Sequence, residues 1–142
     1  MKGGVVVNRM LTERAQRVMF RAQELAGASP ISPYDIMVAL FEEDANAPGI
    51  QDLVRLGVDT ARVSEHLREM KSKAPMQPSA DGFDWTVLHT AAKEALSLGL
   101  KYVGTEFILL SLLTLGHLTP VLESLGHDPK ALYSKIKAHI RQ

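Results

Sequence analysis

A chain of 142 residues suits one compact domain that buries ~70% of the surface its unfolded form exposes, so a core can form without disulfides or a structural metal. Sixteen Lys and Arg balance sixteen Asp and Glu, which leaves no net field to draw in nucleic acid or an anionic membrane surface. With 46% hydrophobic and 23% charged residues and no cysteine, the composition is that of a folded protein without a thiolate site, and it points to a reducing, cytoplasmic compartment.

The opening "MKGGVVVNRM" holds a run of only three valines, too short for a signal-peptide core or a membrane span. Leu11, Ala15, Val18, Ala22 and Leu25 then step by four and three, which puts them on one face of a first helix that Gly27 ends. In "PISPYDIMVALF" (30–41), Ser32 reads as an N-cap, Pro33 as the first helical residue and Asp35 as the capping-box acid of a second helix running to about Phe41. "EEDANAPG" reads as a loop, and Ile50, Leu53, Val54 and Leu56 make a short third helix closed by Gly57. Asp59 caps a fourth, whose buried stripe is Val63, Leu67 and Met70.

Residues 71–82, "KSKAPMQPSADG", carry two prolines and no apolar periodicity, as a linker does. The plan then starts again. Leu88, Ala91, Ala95 and Leu98 repeat the stepping up to Gly99, and "YVGTEFILLSLL" (102–113) is apolar nearly all round, as a buried helix is. Thr119 and Pro120 open a short helix ending at Gly126; Asp128 and Pro129 open another, whose face is Leu132, Ile136 and either His139 or Ile140. "LVRLGVD" and "VLESLGHD" occupy the same place in the two halves. The expected fold is all-α: one domain over 1–142, built from two tandem four-helix repeats (about 10–71 and 83–141) joined by a linker at about 72–82. The repeats are expected to pack as a pseudo-twofold pair, since each has a face it cannot cover alone.

"LTERAQRVMFRAQELA" (11–26), "YVGTEFILLSLL" and the two Leu-Gly helix ends resemble the double Clp N-terminal domain of the Clp/Hsp100 AAA+ unfoldases, closest to the ClpC type, over roughly residues 10–141. The resemblance implies a non-enzymatic recognition domain, monomeric in isolation and without cofactor or catalytic residues. Such a domain receives protein substrates or adaptors and passes them to the Clp ATPase and protease machinery. No phosphate-loop motif G-x-x-x-x-G-K-[ST] occurs in the chain, so it should not hydrolyse ATP by itself. Two origins fit the resemblance, the front of an unfoldase or a free-standing Clp-N protein, and the eleven residues before Thr12 lean towards the second; the alternative function is a decoy or sequestering regulator of Clp-dependent proteolysis.

Likeness to ClpC-type domains further implies a pocket for phosphoarginine, with the phosphate on backbone N–H groups and a hydroxyl and the guanidinium on a carboxylate. Val103, Gly104 and Thr105 would supply the first set and Glu106 the acid. Ordinary helix chemistry explains the same residues: an acid in a first turn gains ~0.3–1 kcal/mol from the macrodipole, and Gly-Thr is common capping sequence. In the first repeat Ser32, Pro33 and Tyr34 replace Gly-Thr-Glu, removing the glycine, the carboxylate and one backbone donor, so that equivalent pocket is expected to be lost or retuned. Thr12 keeps the family's threonine in the first repeat, although it also reads as a simple N-cap. The corresponding stretch of the second repeat is "DGFD" (81–84), whose aspartates would repel phosphate. Read repeat by repeat, then, neither copy holds a complete site.

The five histidines lack the i, i+4 spacing of a helical zinc pair and there is no cysteine to assist them, so no metal site is expected. Phe83 and Trp85 read as core residues, or alternatively as an exposed aromatic anchor for an adaptor.

Overall fold

A computed structural model describes residues 10–28, 31–43, 47–73 and 83–141. Eight α-helices make up the described residues: α1 (Glu13–Ala26), α2 (Pro33–Glu43), α3 (Pro48–Arg55), α4 (Thr60–Lys73), α5 (Phe83–Ser97), α6 (Thr105–Leu115), α7 (Thr119–Ser124) and α8 (Pro129–Arg141). The all-α expectation is met; α4 runs to Lys73, into the stretch read as linker (71–82), whose residues 74–82 lie outside the described residues, as do the side chains of Phe83 and Trp85.

The amount of apolar surface on each helix fixes its depth in the bundle. Both α2 and α6 are apolar on every side: Ile36 to Phe41 and Phe107 to Leu113 are buried without a break, so these helices form the centre and the amphipathic ones pack round them. Ser111, the polar residue inside that second run, donates its hydroxyl to the Val87 carbonyl at 2.8 Å and so causes no loss.

The two halves pack reciprocally. The first helix of each half lies on the second, α1 on α2 and α5 on α6. The short helix of each half packs on the last helix of the other, α3 on α8 and α7 on α4, while α1 touches α6 and α2 touches α5. This exchange of partners is the pseudo-twofold arrangement expected of repeats that must cover each other's open faces. The Leu-Gly endings obey it in detail. Gly57 and Gly126 both take positive φ (89° and 86°), and the next N–H reaches back to a carbonyl at 2.9 Å in each case, Val58 to Leu53 and His127 to Leu122.

Leu11 departs from expectation. It precedes α1 instead of sharing its face, because Thr12 takes the N-cap position and its Oγ1 accepts the Ala15 N–H at 3.2 Å. The capping box at Ser32 forms as expected: the Asp35 carboxylate accepts both the N–H (2.9 Å) and the hydroxyl (3.0 Å) of Ser32, and the Asp35 N–H donates to Ser32 Oγ at 3.2 Å. Replacing Ser32 with alanine should lower stability by about 1 kcal/mol, read as a shift of the urea midpoint without a change in slope.

Candidate functional site

Residues 10–12, just before α1, run beside residue 103, just before α6. Thr12 N–H donates to the Val103 carbonyl at 3.0 Å and Val103 N–H donates to the Met10 carbonyl at 2.8 Å, a single parallel bridge pairing Leu11 with Val103. Two helix N-termini from different halves of the chain are thereby fixed side by side, with Thr12 as N-cap of α1 and Gly104 as N-cap of α6. Each presents the positive end of a helix dipole.

Between them lies a cavity of about 400 Å³, walled by Thr12, Glu13 and Arg14 on one side and by Tyr102 and Gly104 to Glu106 on the other. The threonine and the glutamate that sequence reasoning assigned to two incomplete sites thus line one pocket. The repeats are interlocked, so the residues that share a site are not those that share a repeat. Val103 is placed differently from the expectation: its side chain is fully buried and its N–H is consumed by the bridge to Met10, so it ties the site together and offers no amide to a ligand.

Three polar features stand out in the pocket. Gly104 brings no side-chain cap to the head of α6, where the Glu106 carboxylate takes up its own backbone N–H. Thr105 is only 1% exposed, yet its Oγ1 has no hydrogen-bond partner among the described residues, and a buried hydroxyl left so is costly. The Glu106 side chain folds back across Gly104, and a Cβ at position 104 would overlap its Oε1, so a side chain there would turn the acid aside.

Burial pushes the Glu106 carboxyl above the usual range; the hydrogen bond it accepts from its own backbone N–H opposes this, and the nearby charge of Asp52 adds to it. Asp52 belongs to α3, which approaches the head of α6 closely: a Cβ on Gly49 would stand 3.0 Å from the Glu106 Cα and 3.1 Å from Leu109 Cδ2. Asp52, Arg14 and Tyr102 carry no site signal of their own in the sequence. Only the pairing of the two helix heads brings Arg14 into the pocket, and no local pattern advertises it.

The start of α2, the counterpart of the head of α6, is arranged otherwise. There the Ser32 N–H and hydroxyl are held by Asp35, and Tyr34 is half-buried against the core. Asp81 and Gly82 of the "DGFD" stretch lie outside the described residues, as do the side chains of Phe83 and Asp84. A second depression of about 360 Å³ follows α1 and meets α5, lined by Leu11, Gln16, Met19, Phe20, Ile31 and Leu88 among others. Among the described residues no group of three or more His, Asp or Glu could hold a metal ion, and no helix is long and apolar enough to cross a membrane.

Residues 84–142 match the family of the Clp repeat (R) N-terminal domain. Over 127 residues the chain is 33% identical to the chaperone protein ClpB of Oceanobacillus iheyensis, covering 81% of this chain and 15% of that protein. It is 30% identical over 111 residues to the uncharacterized protein Rv2667 of Mycobacterium tuberculosis, covering 75% of this chain and 44% of the relative. The chain therefore spans less than half the length of either. The fold matches the N-terminal domain of ClpD, the caseinolytic protease associated chaperone of Arabidopsis thaliana, with a TM-score of 0.69 at 19% identity, over 94% of this chain and 96% of that one. The protein carries a Clp N-terminal repeat, and its helices adopt the fold of a Clp N-terminal domain.

Proposed function

We propose that the chain is a non-enzymatic recognition module that binds protein substrates or adaptors for a cytoplasmic Clp unfoldase and protease, with arginine-phosphorylated proteins as ligands of the pocket between α1 and α6. The observation that carries this reading is the convergence of Thr12, Gly104, Thr105 and Glu106 in one cavity where a buried hydroxyl lacks a partner. A phosphoryl group placed at the heads of the two helices would meet backbone N–H groups, two threonine hydroxyls and two favourable dipole ends. A guanidinium attached to it would meet the Glu106 carboxylate in a charge-assisted pair. The site offers binding chemistry without a paired nucleophile and base, in keeping with a reader of marked proteins rather than an enzyme.

Calorimetric titration with free phosphoarginine should give saturable one-to-one binding. Thr105→Val separates the ligand role of the hydroxyl from its cost to the fold. The methyl group fills the same space without an unpaired donor, so the variant should melt higher by an amount equivalent to about 1 kcal/mol while binding the ligand more weakly. A variant that is less stable and binds unchanged would show that the hydroxyl serves the fold.

A further inference from the structure

Glu106 is not the only carboxylate enclosed near the head of α6. Asp52 is 5% exposed and stands one turn after Gly49, the residue through which α3 touches Glu106. Positions three apart share a helical face, which sets Asp52 on the side of α3 that Gly49 turns to Glu106, and its charge is felt there. Two counter-groups reach the same oxygen of Asp52: Arg55 Nη2 from its own helix and His139 Nδ1 from α8, both at 2.8 Å. His139 is a counter-charge only when protonated, and both partners are 51% exposed, where water screens them, while the acid is shielded.

The negative charge of Asp52 raises the cost of ionising Glu106. A cation in the pocket would reverse that cost. Resting on the reading of the pocket as a phosphoarginine site, we infer that Asp52 is a specificity-determining residue: a second negative charge behind Glu106 that favours a guanidinium-bearing ligand over a bare phosphate, with Arg55 attenuating it. Asp52 does not form the pocket wall and acts through its field. The guanidinium is attracted by both acids, whereas inorganic phosphate meets the same helix heads and hydroxyls but is repelled by both.

Opposite-sign substitutions separate this role from a structural one. Asp52→Asn should reduce the preference for phosphoarginine over inorganic phosphate by roughly three- to tenfold, the size expected for one screened charge acting across a partly buried site. Arg55→Gln, at an exposed position, should raise the preference by about twofold, since it frees the field of Asp52. The experiment is calorimetric titration of the full chain and both variants with phosphoarginine and with inorganic phosphate as competitor, at one pH and low ionic strength. Opposite shifts of the ratio are the expected result. Shifts in the same direction, or none in a chain that binds phosphoarginine, would overturn the role of Asp52 alone. An unaltered chain that binds neither ligand would overturn the reading of the pocket and this inference with it.

Discussion

Glu106→Gln is expected to weaken phosphoarginine binding by roughly ten- to a hundredfold and, at neutral pH, to make the empty protein more stable. The loss follows from replacing a charge-assisted bond with a neutral one at a partly desolvated carboxylate, worth about 1.5–3 kcal/mol. The gain follows from the direction of the acid's pKa. Because burial, and then Asp52, raise the folded-state value, the native protein holds the Glu106 proton more tightly than the unfolded chain does. Stability therefore falls as pH rises from the ordinary glutamate range through the raised folded-state value, and glutamine removes that fall. Melting curves of the two proteins should coincide at acidic pH, below the ordinary glutamate range, and separate as pH rises, with the glutamine variant higher. A variant that melts lower at neutral pH would mean that the carboxylate stabilises the head of α6, as any first-turn acid does.

Phe107→Ala should cost about 3–5 kcal/mol, a large share of the ~5–15 kcal/mol available to a domain of this kind. Phe107 follows Glu106 directly and is fully buried at the centre of the interlocked halves, where α6 is enclosed on every side. Truncation leaves a void that the surrounding helices cannot close without disturbing both repeats. Phe20 is the control: it is 66% exposed at the edge of the α1 groove, and its alanine variant should stay within about 0.5 kcal/mol of the parent. Urea unfolding of the two variants measures the contrast directly. Similar midpoints for both would refute the placement of α6 at the centre.

Much of the fold is legible in local chemistry. The Ser32–Asp35 capping box, the paired Leu-Gly helix ends at Gly57 and Gly126, and the unbroken apolar run of α6 are each dictated by neighbours in sequence, and each forms as read. The site is legible only in pieces. Thr12 and Glu106 carry recognisable signals, but whether they share a pocket depends on how the repeats interlock, and periodicity within one repeat carries no information about that. The bridge between residues 10–12 and Val103 is a pairing of backbone groups ninety residues apart, for which side-chain identity gives no cue. Asp52 was invisible for a similar reason. In sequence it is one polar residue of an amphipathic helix, and its burial follows from Gly49 admitting α3 to the head of α6.

The start of α2 differs from the head of α6 through particular residues. Where α6 presents an N-cap glycine and an acid folded over it, α2 begins with a serine, a proline and an aspartate that satisfy one another. The first turn of α2 is closed by Ser32 and Asp35, whereas that of α6 has no N-cap side chain and borders the cavity. One-to-one binding of phosphoarginine is the result expected under the proposed function.

The most direct test is a two-dimensional amide NMR titration of the ¹⁵N-labelled chain with phosphoarginine. Shared occupation of the two helix heads predicts that the amides of Thr12, Gly104, Thr105 and Glu106 shift together along one saturation curve, while those of Ser32 and Tyr34 stay in place. Shifts confined to the α1 groove around Phe20, or separate curves for Thr12 and Glu106, would contradict a single pocket built from both halves of the chain.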